Sequence, residues 1–129
     1  MFECIKGKKV LITGATGGIG SHLAVMFAEC GASVGVHHNR SIAKANQIVR
    51  EIEKKGGSGA PFQSDLTVDS PEKMVQSFVQ LFGGIDILVN NAGAVIGPKD
   101  MLDLDIDSWD KTFQLNARAP FFLAQSAFK

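Results

Sequence analysis

A cluster of glycines near the beginning of the chain has the composition of a phosphate-binding turn. The segment Lys9–Gly20 has the sequence KVLITGATGGIG, in which a short apolar run leads into Gly14, Gly17, Gly18 and Gly20. Glycine lacks a Cβ, so a phosphate can approach the backbone closely, and free amides at a helix start carry partial positive charge. The turn is followed by apolar residues at helical spacing, namely Ile19, Leu23, Phe27 and Cys30. Strand, turn and helix together predict the opening of a βαβ unit that binds the diphosphate of a nucleotide.

The spacing of these glycines separates the turn from other phosphate-binding loops. The common dinucleotide motif is G-x-G-x-x-G, whereas this chain has Gly14-x-x-x-Gly18-x-Gly20. A P-loop is excluded, because no Gly-Lys-Ser/Thr follows the strand. Taken alone, the turn is also compatible with a glycine-rich connection in some other α/β domain.

A second motif, Asn90-Asn91-Ala92-Gly93, directly follows the apolar segment Ile85–Val89, which predicts a fourth strand. Asparagine side chains can connect neighbouring strand ends, and Ala-Gly lets a ligand lie close to the backbone. A plain turn is the alternative for this tetrapeptide alone. Together with the T-G-x-x-x-G-x-G pattern of Thr13–Gly20, it resembles the short-chain dehydrogenase/reductase family, and the resemblance covers essentially the whole chain.

The resemblance implies a fold, a cofactor and a reaction. The expected fold is α/β: a Rossmann-like doubly wound parallel sheet with helices on both faces, here truncated after the fourth strand and the following helix. Residues 1–129 would then form one incomplete NADP-binding domain. The family transfers a hydride between nicotinamide and a carbonyl or alcohol carbon of a small molecule, and the motifs are most similar to those of 3-oxoacyl-[acyl-carrier-protein] reductases. The cofactor contacts that it implies within the two motifs are Gly14, Thr16, Gly17, Gly18, Ile19, Gly20, Asn91, Ala92 and Gly93.

The end of the second predicted strand, Ala32–His37, bears on the choice of cofactor. In βαβ folds that bind NAD, an acidic residue at this strand end hydrogen-bonds the adenosine ribose. Here Asn39, Arg40 and Ser41 offer a cation and a hydroxyl instead, which favours the 2′-phosphate of NADP(H). The alternative is that Ser41 caps the next helix and Arg40 is a solvated side chain. Family members that prefer NADP often have a further basic residue in the glycine turn, where this chain has Gly17.

An acidic residue follows the third predicted strand, Ala60–Ser64. Ligands of α/β sheets bind at the carboxyl ends of the strands, where Asp65 would lie. The resemblance implies that Asp65 accepts from the adenine amino group and that the backbone N–H of Leu66 donates to the ring. A turn-capping role for Asp65 is the alternative.

The last predicted helix is apolar on two faces. We expect it to begin with Asp107 as its cap. One face consists of Phe113, Ala117, Phe121, Ala124 and Phe128, and the other of Leu115, Ala119, Phe122 and Leu123. A helix that is apolar on two faces is buried on both. The resemblance implies that one face packs on the sheet and the other on a second subunit, giving a homo-oligomer.

Asn116 lies in this helix and resembles the active-site asparagine of the family. Pro120 has no N–H, so the carbonyl of Asn116 loses its partner within the helix. A free carbonyl beside the nicotinamide would be able to hold a water in a proton relay. The alternative is a proline-kinked helix in which Asn116 is hydrogen-bonded for structural reasons.

The family's general acid is absent from the sequence. The resemblance implies a tyrosine as proton donor, a lysine four residues later and a serine, but the chain contains no tyrosine. A general acid must lie within hydrogen-bond reach of the substrate oxygen. We therefore expect these residues alone to be inactive and the whole polypeptide to be roughly twice as long. A non-catalytic nucleotide-binding module and a truncated relic are the alternatives.

Composition excludes several other classes of partner. Thirteen basic residues balance thirteen acidic ones, and no apolar run is as long as a membrane span, so we expect neither nucleic acid nor a membrane as partner. The two cysteines are not in C-x-x-C spacing, which favours reduced thiols and a cytoplasmic location. His37 and His38 are expected to lie on the surface at a strand end and to bind no metal, because no third ligand has a recognisable spacing.

Overall fold

The computed structural model describes residues 3–129. Within this range the strands are β1 (Lys9–Ile12), β2 (Ser33–His38), β3 (Ser58–Gln63) and β4 (Ile87–Val89), and they form one parallel sheet in the order β3-β2-β1-β4. The helices are α1 (Gly18–Glu29), α2 (Ile42–Lys54), α3 (Pro71–Phe82), α4 (Ile106–Phe113) and α5 (Ala119–Phe128). A π-helical turn (Gln114–Arg118) joins α4 to α5, and short 3₁₀ turns lie at Glu3–Ile5 and Met101–Asp103.

Helices cover both faces of the sheet. Val10 and Ile12 of β1 pack in a cluster with α1 and α2, whereas Leu11 packs in a second cluster with α3 and α5. Successive side chains of a strand point to opposite faces, so one apolar strand contributes to both clusters. The predicted Rossmann-like α/β fold is therefore confirmed for this part of the chain. The bounds of β2 and β3 differ from the prediction by one or two residues.

The buried face of α1 differs from the predicted stripe. Its buried residues are Gly20, Ala24 and Ala28, whereas Ile19 is 73% exposed. Small side chains let the helix axis approach the sheet closely, and Leu23 and Phe27 are only partly buried beside this contact. Ile19 is the second residue of the helix, and it lies beside the cavity described below instead of in the core.

Gly35 allows a large aromatic residue to pack against the middle of β2. A Cβ at Gly35 would lie 2.7 Å from the ring of Phe78, which is fully buried in α3. Phe78 in turn packs on Phe62 and Phe82, with ring centroids 5.5 and 4.9 Å away. Because Gly35 has no side chain, the ring of Phe78 fills the space above it.

The fourth strand is shorter than predicted and covers Ile87–Val89. Asp86, directly before β4, bonds to the start of β1: its Oδ2 accepts from the amide of Lys9 at 2.8 Å, and its own amide donates to the Lys9 carbonyl at 2.9 Å. The preceding α3 ends at Gly83, which has the left-handed φ of 79°.

The helix after the fourth strand begins earlier than predicted, and its cap is a different residue. Asp105 caps α4, because its Oδ1 accepts from the amide of Ser108 at 2.7 Å. Asp107 lies in the first turn, and its carboxylate pairs with Lys111 at 2.7 Å. Both are acidic residues near the positive end of the helix, but only Asp105 has the extended backbone of a cap, with ψ of 165°.

Candidate functional site

The glycine turn connects β1 to α1 at the carboxyl edge of the sheet. Gly14 has a φ of 61°, and a Cβ there would lie 2.8 Å from the Cα of Ala92. A Cβ at Gly20 would collide with the carbonyl oxygen of Gly14 and lie 2.6 Å from Nδ2 of Asn91. These two glycines are therefore required by packing within the protein, whereas Gly18 faces open space. The amides of Gly18, Ile19 and Gly20 begin α1 and have no acceptor inside the helix.

Thr13 and Asn91 tie the ends of β1 and β4 together. The Thr13 hydroxyl oxygen accepts from the amides of Asn91 and Ala92, both at 3.0 Å. The side-chain amide of Asn91 donates to the carbonyls of Thr13 at 3.0 Å and Gly14 at 3.1 Å. The predicted connection of strand ends by an asparagine is present. The role of Thr13 was not predicted, although its place in the T-G-x-x-x-G-x-G motif was a signal.

The structure contradicts the prediction that His37 and His38 are surface residues. Both are 3% exposed, because the glycine turn and the segment after β3 cover the carboxyl end of β2. Nδ1 of His37 accepts from the amide of Gly14 at 2.9 Å, and Nε2 lies 2.9 Å from the Ser64 carbonyl. Burial lowers the pKa of His37, against an opposing effect of the Ser64 carbonyl, and burial also lowers the pKa of His38. Histidine is polar, and both histidines lie at the end of a strand, so the sequence alone predicted that they are on the surface.

Asn39, Arg40 and Ser41 follow β2 and are exposed at the edge of the cavity. Ser41 occupies the N-cap position of α2, as the alternative for this residue required. Among the described residues, however, no capping hydrogen bond from its side chain to α2 is present. The hydroxyl of Ser41 and the guanidinium of Arg40 thus lie at the cavity without a role in the helix start.

Asp65 makes the contacts of a turn-capping residue, which is the alternative role considered for it from the sequence. Its Oδ1 accepts from the hydroxyl of Thr67 at 2.6 Å and from the amide of Thr67 at 3.0 Å. These two bonds hold the pKa of the Asp65 carboxyl below its usual value, and the charge of Arg40 acts in the same direction. Leu66, next in the chain, is buried in the cluster beneath α3 and α5.

One cavity of about 730 Å³ brings the predicted cofactor residues together. Its walls come from the glycine turn, the ends of β2 and β4 and the segment after β3, which lie far apart in the sequence. The predicted residues that line it are Gly14, Thr16, Gly17, Gly18, Ile19, Asn39, Arg40, Ser41, Asp65, Leu66, Asn91, Ala92 and Gly93. Gly20 is not among them, since it packs beneath the turn. Six further residues line the cavity and were not predicted from the sequence, namely His37, His38, Ser64, Thr67, Ile96 and Leu115.

Asn116 lies next to this cavity, in the π-helical turn, and borders a smaller one of about 410 Å³. Its amide holds the segment after β4: Oδ1 accepts from the Ala94 amide at 3.2 Å, and Nδ2 donates to the Ala94 carbonyl at 2.6 Å. Nδ2 also donates to the carbonyl of Thr112 at 2.7 Å. Pro120 supplies no N–H to the Asn116 carbonyl, and the amide of Ala119 bonds to Gln114, five residues earlier.

Comparison with known proteins places this geometry in a family. A sequence model described as "short chain dehydrogenase" matches residues 8–129. The chain belongs to the short-chain dehydrogenase family.

Relatives of this short-chain dehydrogenase chain include named reductases. A hydroxynaphthalene reductase-like protein Arp2 from Metarhizium guizhouense is 40% identical over 126 residues, which are 96% of this chain and 46% of the relative. An uncharacterised oxidoreductase from Thermotoga maritima is 41% identical over 122 residues, which are 95% of this chain and 47% of that protein. The chain thus spans about half the length of the curated relatives that it matches.

Solved short-chain dehydrogenase structures have the same fold. The NADH-dependent reductase A1-R′, crystallised with NAD, aligns with a TM-score of 0.90 at 36% identity, covering 98% of this chain and 53% of that one. The promiscuous reductase LugOII, which catalyses keto-reduction at C1 during lugdunomycin biosynthesis, aligns with a TM-score of 0.86 at 35% identity, covering 99% and 55%. These neighbours support a reductase family and include one with NAD bound.

Residues 3–129 contain neither a membrane-spanning helix nor a metal-binding cluster. None of the helices there is both long enough and apolar enough to span a membrane. In the same range, no group of three or more His, Cys, Asp or Glu side chains has an arrangement that would hold a metal ion.

Proposed function

We propose that this chain is the cofactor-binding part of an NADP(H)-dependent oxidoreductase that acts on a carbonyl or alcohol carbon of a small molecule. The observation that carries the proposal is the cavity of about 730 Å³ at the carboxyl edge of β1, β2, β3 and β4, with the first amides of α1 beside it. Ligands of open α/β sheets bind at this edge, at the point where the strand order reverses. In this sheet that point lies between β1 and β4. The proposed domain is residues 1–129.

The residues present fit a dinucleotide. Gly18 has open space where a Cβ would be, so a diphosphate has access to the amides of Gly18, Ile19 and Gly20. The adenosine ribose would lie by Asn39–Ser41, and adenine by Asp65 and Leu66. The segment Asn91–Gly93 would face the nicotinamide, which supplies or accepts the hydride when bound.

The preference for NADP(H) is the finer part of the proposal. Arg40 and Ser41 offer a positive charge and a hydroxyl, and no carboxylate lies among residues 37–41 to repel a 2′-phosphate. The NADH-dependent reductase A1-R′ shows that a protein of this fold can use the other cofactor. Titration of the purified chain with NADPH and with NADH, followed by calorimetry, tests both parts. Tighter binding of NADPH supports the preference, equal binding removes it, and failure of both to bind overturns the cofactor-binding function.

For Asn116 we propose two roles. Its side chain holds the segment after β4 through Ala94, and its carbonyl, left without a proline N–H, holds a water in a proton relay. Pro120→Ala restores the N–H that would occupy this carbonyl. In an enzyme that contains the remaining catalytic residues, we expect slower turnover with unchanged cofactor affinity. Unchanged turnover would leave Asn116 with a structural role only.

We propose that these residues alone do not catalyse the reaction. The sequence has no tyrosine to donate a proton, and Asn116 cannot replace an ionisable general acid.

The similarity of motifs favours a 3-oxoacyl-[acyl-carrier-protein] reductase-like substrate, whereas the curated relatives reported above include a hydroxynaphthalene reductase-like protein. Assays of NADPH oxidation with an acetoacetyl thioester and with a polycyclic ketone distinguish the two, using protein that contains the catalytic residues. Cofactor binding without turnover by the 129-residue chain is equally the property of a non-catalytic module.

We also propose a homo-oligomer through the outer face of α4 and α5. Phe113, Phe121 and Phe128 are 52%, 64% and 95% exposed, whereas Ala119 and Leu123 on the inner face are buried against the sheet cluster. An apolar helix face without cover is a candidate interface.

A further inference from the structure

One buried side chain connects three strand ends beneath the cofactor cavity. His37, the fifth residue of β2, accepts from the amide of Gly14 after β1 at 2.9 Å and contacts the carbonyl of Ser64 after β3 at 2.9 Å. Its own carbonyl accepts from the amide of Ala15 at 2.9 Å. The first two residues of the glycine turn are therefore both bonded to His37.

These partners determine the protonation state of the ring. A backbone N–H can only donate, so Nδ1 of His37 must present a lone pair to Gly14. A carbonyl can only accept, so Nε2 must carry a hydrogen for Ser64. Only the neutral imidazole with its proton on Nε2 satisfies both partners. A second proton on Nδ1 would place two donors against each other at the start of the turn.

We propose that His37 is a positioning residue that holds the glycine turn in its anion-binding shape, and that it does so only as the neutral Nε2–H tautomer. The inference rests on the proposed function, because it assumes that the turn carries the diphosphate of a dinucleotide.

The link from His37 to the anion site passes through Gly14. Gly14 is held at a φ of 61°, and its carbonyl accepts from the amide of Gly17 at 3.1 Å and from Nδ2 of Asn91 at 3.1 Å. Gly17 is the cap residue of α1, and its carbonyl accepts from Ser21 at 3.0 Å. The Gly14 amide that bonds to His37 belongs to the Thr13–Gly14 peptide. Movement of this peptide after loss of that bond would shift Gly14 and, through the bonds of its carbonyl, the residues that present the first amides of α1.

Charged groups around the ring do not replace this bond. The titratable side chains on the elements that meet at these strand ends include His38 and Arg40 after it in the chain, Asp65 and Asp69 after β3, His22 on α1 and Lys44 in the first turn of α2. Residues 13–20 after β1 and 90–93 after β4 have no titratable side chains. Repulsion from His38 adds to burial in lowering the pKa of His37, which keeps the ring neutral at physiological pH.

The first experiment measures the tautomer without any cofactor. Long-range ¹H–¹⁵N spectra of the chain report the protonation of both ring nitrogens, and the amide resonance of Gly14 reports the turn. We expect an Nε2–H tautomer for His37 at pH 8 and a Gly14 shift that changes with the same midpoint as the ring. An Nδ1–H tautomer, a mixture of tautomers or a Gly14 amide that is insensitive to the ring would overturn the proposal.

The second experiment compares His37→Asn with His37→Leu. Asparagine Oδ1 can take the place of Nδ1 and accept from Gly14, but it does not titrate, whereas leucine offers no acceptor. Binding is measured with NAD⁺ by calorimetry, because the 2′-phosphate of NADPH itself titrates near pH 6. At pH 8 we expect His37→Leu to weaken binding about tenfold and His37→Asn to stay within about threefold. Between pH 8 and pH 5 the unsubstituted chain should lose affinity, while His37→Asn should not.

Two controls separate the possible failures. His22→Asn removes the exposed histidine of α1, and the loss of affinity at acid pH must persist in it. Unfolding midpoints of each variant show whether the protein is folded under the conditions of the titration. Equal binding and equal pH profiles for the chain and His37→Leu would overturn the role of His37 while leaving the cofactor site intact. If the unsubstituted chain does not bind NAD⁺ or NADPH, the proposed function fails, and the NMR measurement alone decides the role of His37.

Discussion

At the scale of single residues, the cavity depends on side chains that satisfy backbone groups at strand ends. The Thr13 hydroxyl is an acceptor for two amides, and the Asn91 side chain is a donor to two carbonyls. An unsatisfied buried backbone group costs about 1–3 kcal/mol, so these polar residues stabilise the shape of the site as well as its surface. Arg40 differs from them, because it lies at the cavity edge and carries charge toward solvent.

Arg40→Gln is expected to change the cofactor preference. If the guanidinium binds the 2′-phosphate, its loss removes a charge-assisted hydrogen bond, and NADPH affinity should fall about tenfold. NADH affinity should change less than about twofold, since NADH has no phosphate there. Calorimetric titration of both cofactors measures this difference. The matched control is Arg50→Gln, an exposed arginine on α2 outside the cavity, and equal losses for both cofactors in Arg40→Gln would contradict the assignment.

The two buried histidines predict a pH-dependent stability. Burial lowers the pKa of His37 and His38 in the folded state below the value of about 6.5 in the unfolded chain. Below that pH the unfolded state binds more protons than the folded state does. The contribution of these histidines to the free energy of unfolding is therefore fully present above pH 6.5 and falls as the pH is lowered. Urea unfolding midpoints at pH 8 and pH 5.5 measure the loss. We expect a smaller loss in His37→Asn, and an equal loss in both proteins would assign the effect to other groups.

At the scale of elements, the packing of α1 and of α3 on the sheet depends on small residues at the contact. On one face, Gly20, Ala24 and Ala28 of α1 allow close approach. On the other face, Gly35 in β2 makes room for Phe78 of α3. The turn at the start of α1 is consequently held at a fixed distance from the sheet, which a site built on backbone amides requires.

Gly35→Ala is expected to destabilise the fold by about 1–3 kcal/mol, because the new Cβ overpacks against the ring of Phe78. In a Phe78→Leu background the same change should cost less, since the smaller side chain leaves space. Urea unfolding of the two single variants and the double variant gives the coupling energy. Gly59→Ala on β3, whose Cβ would lie 3.2 Å from the end of the Ile52 side chain, is the milder control. Independent, additive effects would show that Gly35 and Phe78 do not share this space.

At the scale of the whole molecule, one helix surface is still uncovered. Trp109, Phe113, Phe121 and Phe128 are all more than half exposed on α4 and α5, and the ring centroids of Trp109 and Phe113 lie 4.8 Å apart. The same helices bury Ala119 and Leu123 inside. The surface therefore continues the two-faced apolar pattern of the sequence, and a second copy of the chain is its proposed cover.

Phe121→Lys is expected to weaken self-association of the chain. A charge in the middle of an apolar interface has to be desolvated, and we expect at least about a tenfold rise in the dissociation constant. Sedimentation velocity over a range of concentrations measures the distribution of species. Val79→Lys, on an exposed position of α3, controls for added charge. A monomeric unsubstituted chain, or an unchanged distribution in Phe121→Lys, would contradict the proposed interface.

The sequence alone determined the α/β fold, the order of elements and thirteen of the nineteen residues that line the cavity. Apolar runs, helical spacing and glycine turns are local signals, and the two motifs carry the family resemblance. The exact start of α4 was predicted wrongly: Asp105, not Asp107, is its cap, because backbone conformation decides between neighbouring acidic residues. Only the tertiary structure decided which polar groups are satisfied. His37 binds Gly14 across 23 positions and Ser64 across 27, and Asn91 binds Thr13 across 78. Such partners are set by where distant strand ends meet, and no local pattern encodes that meeting point.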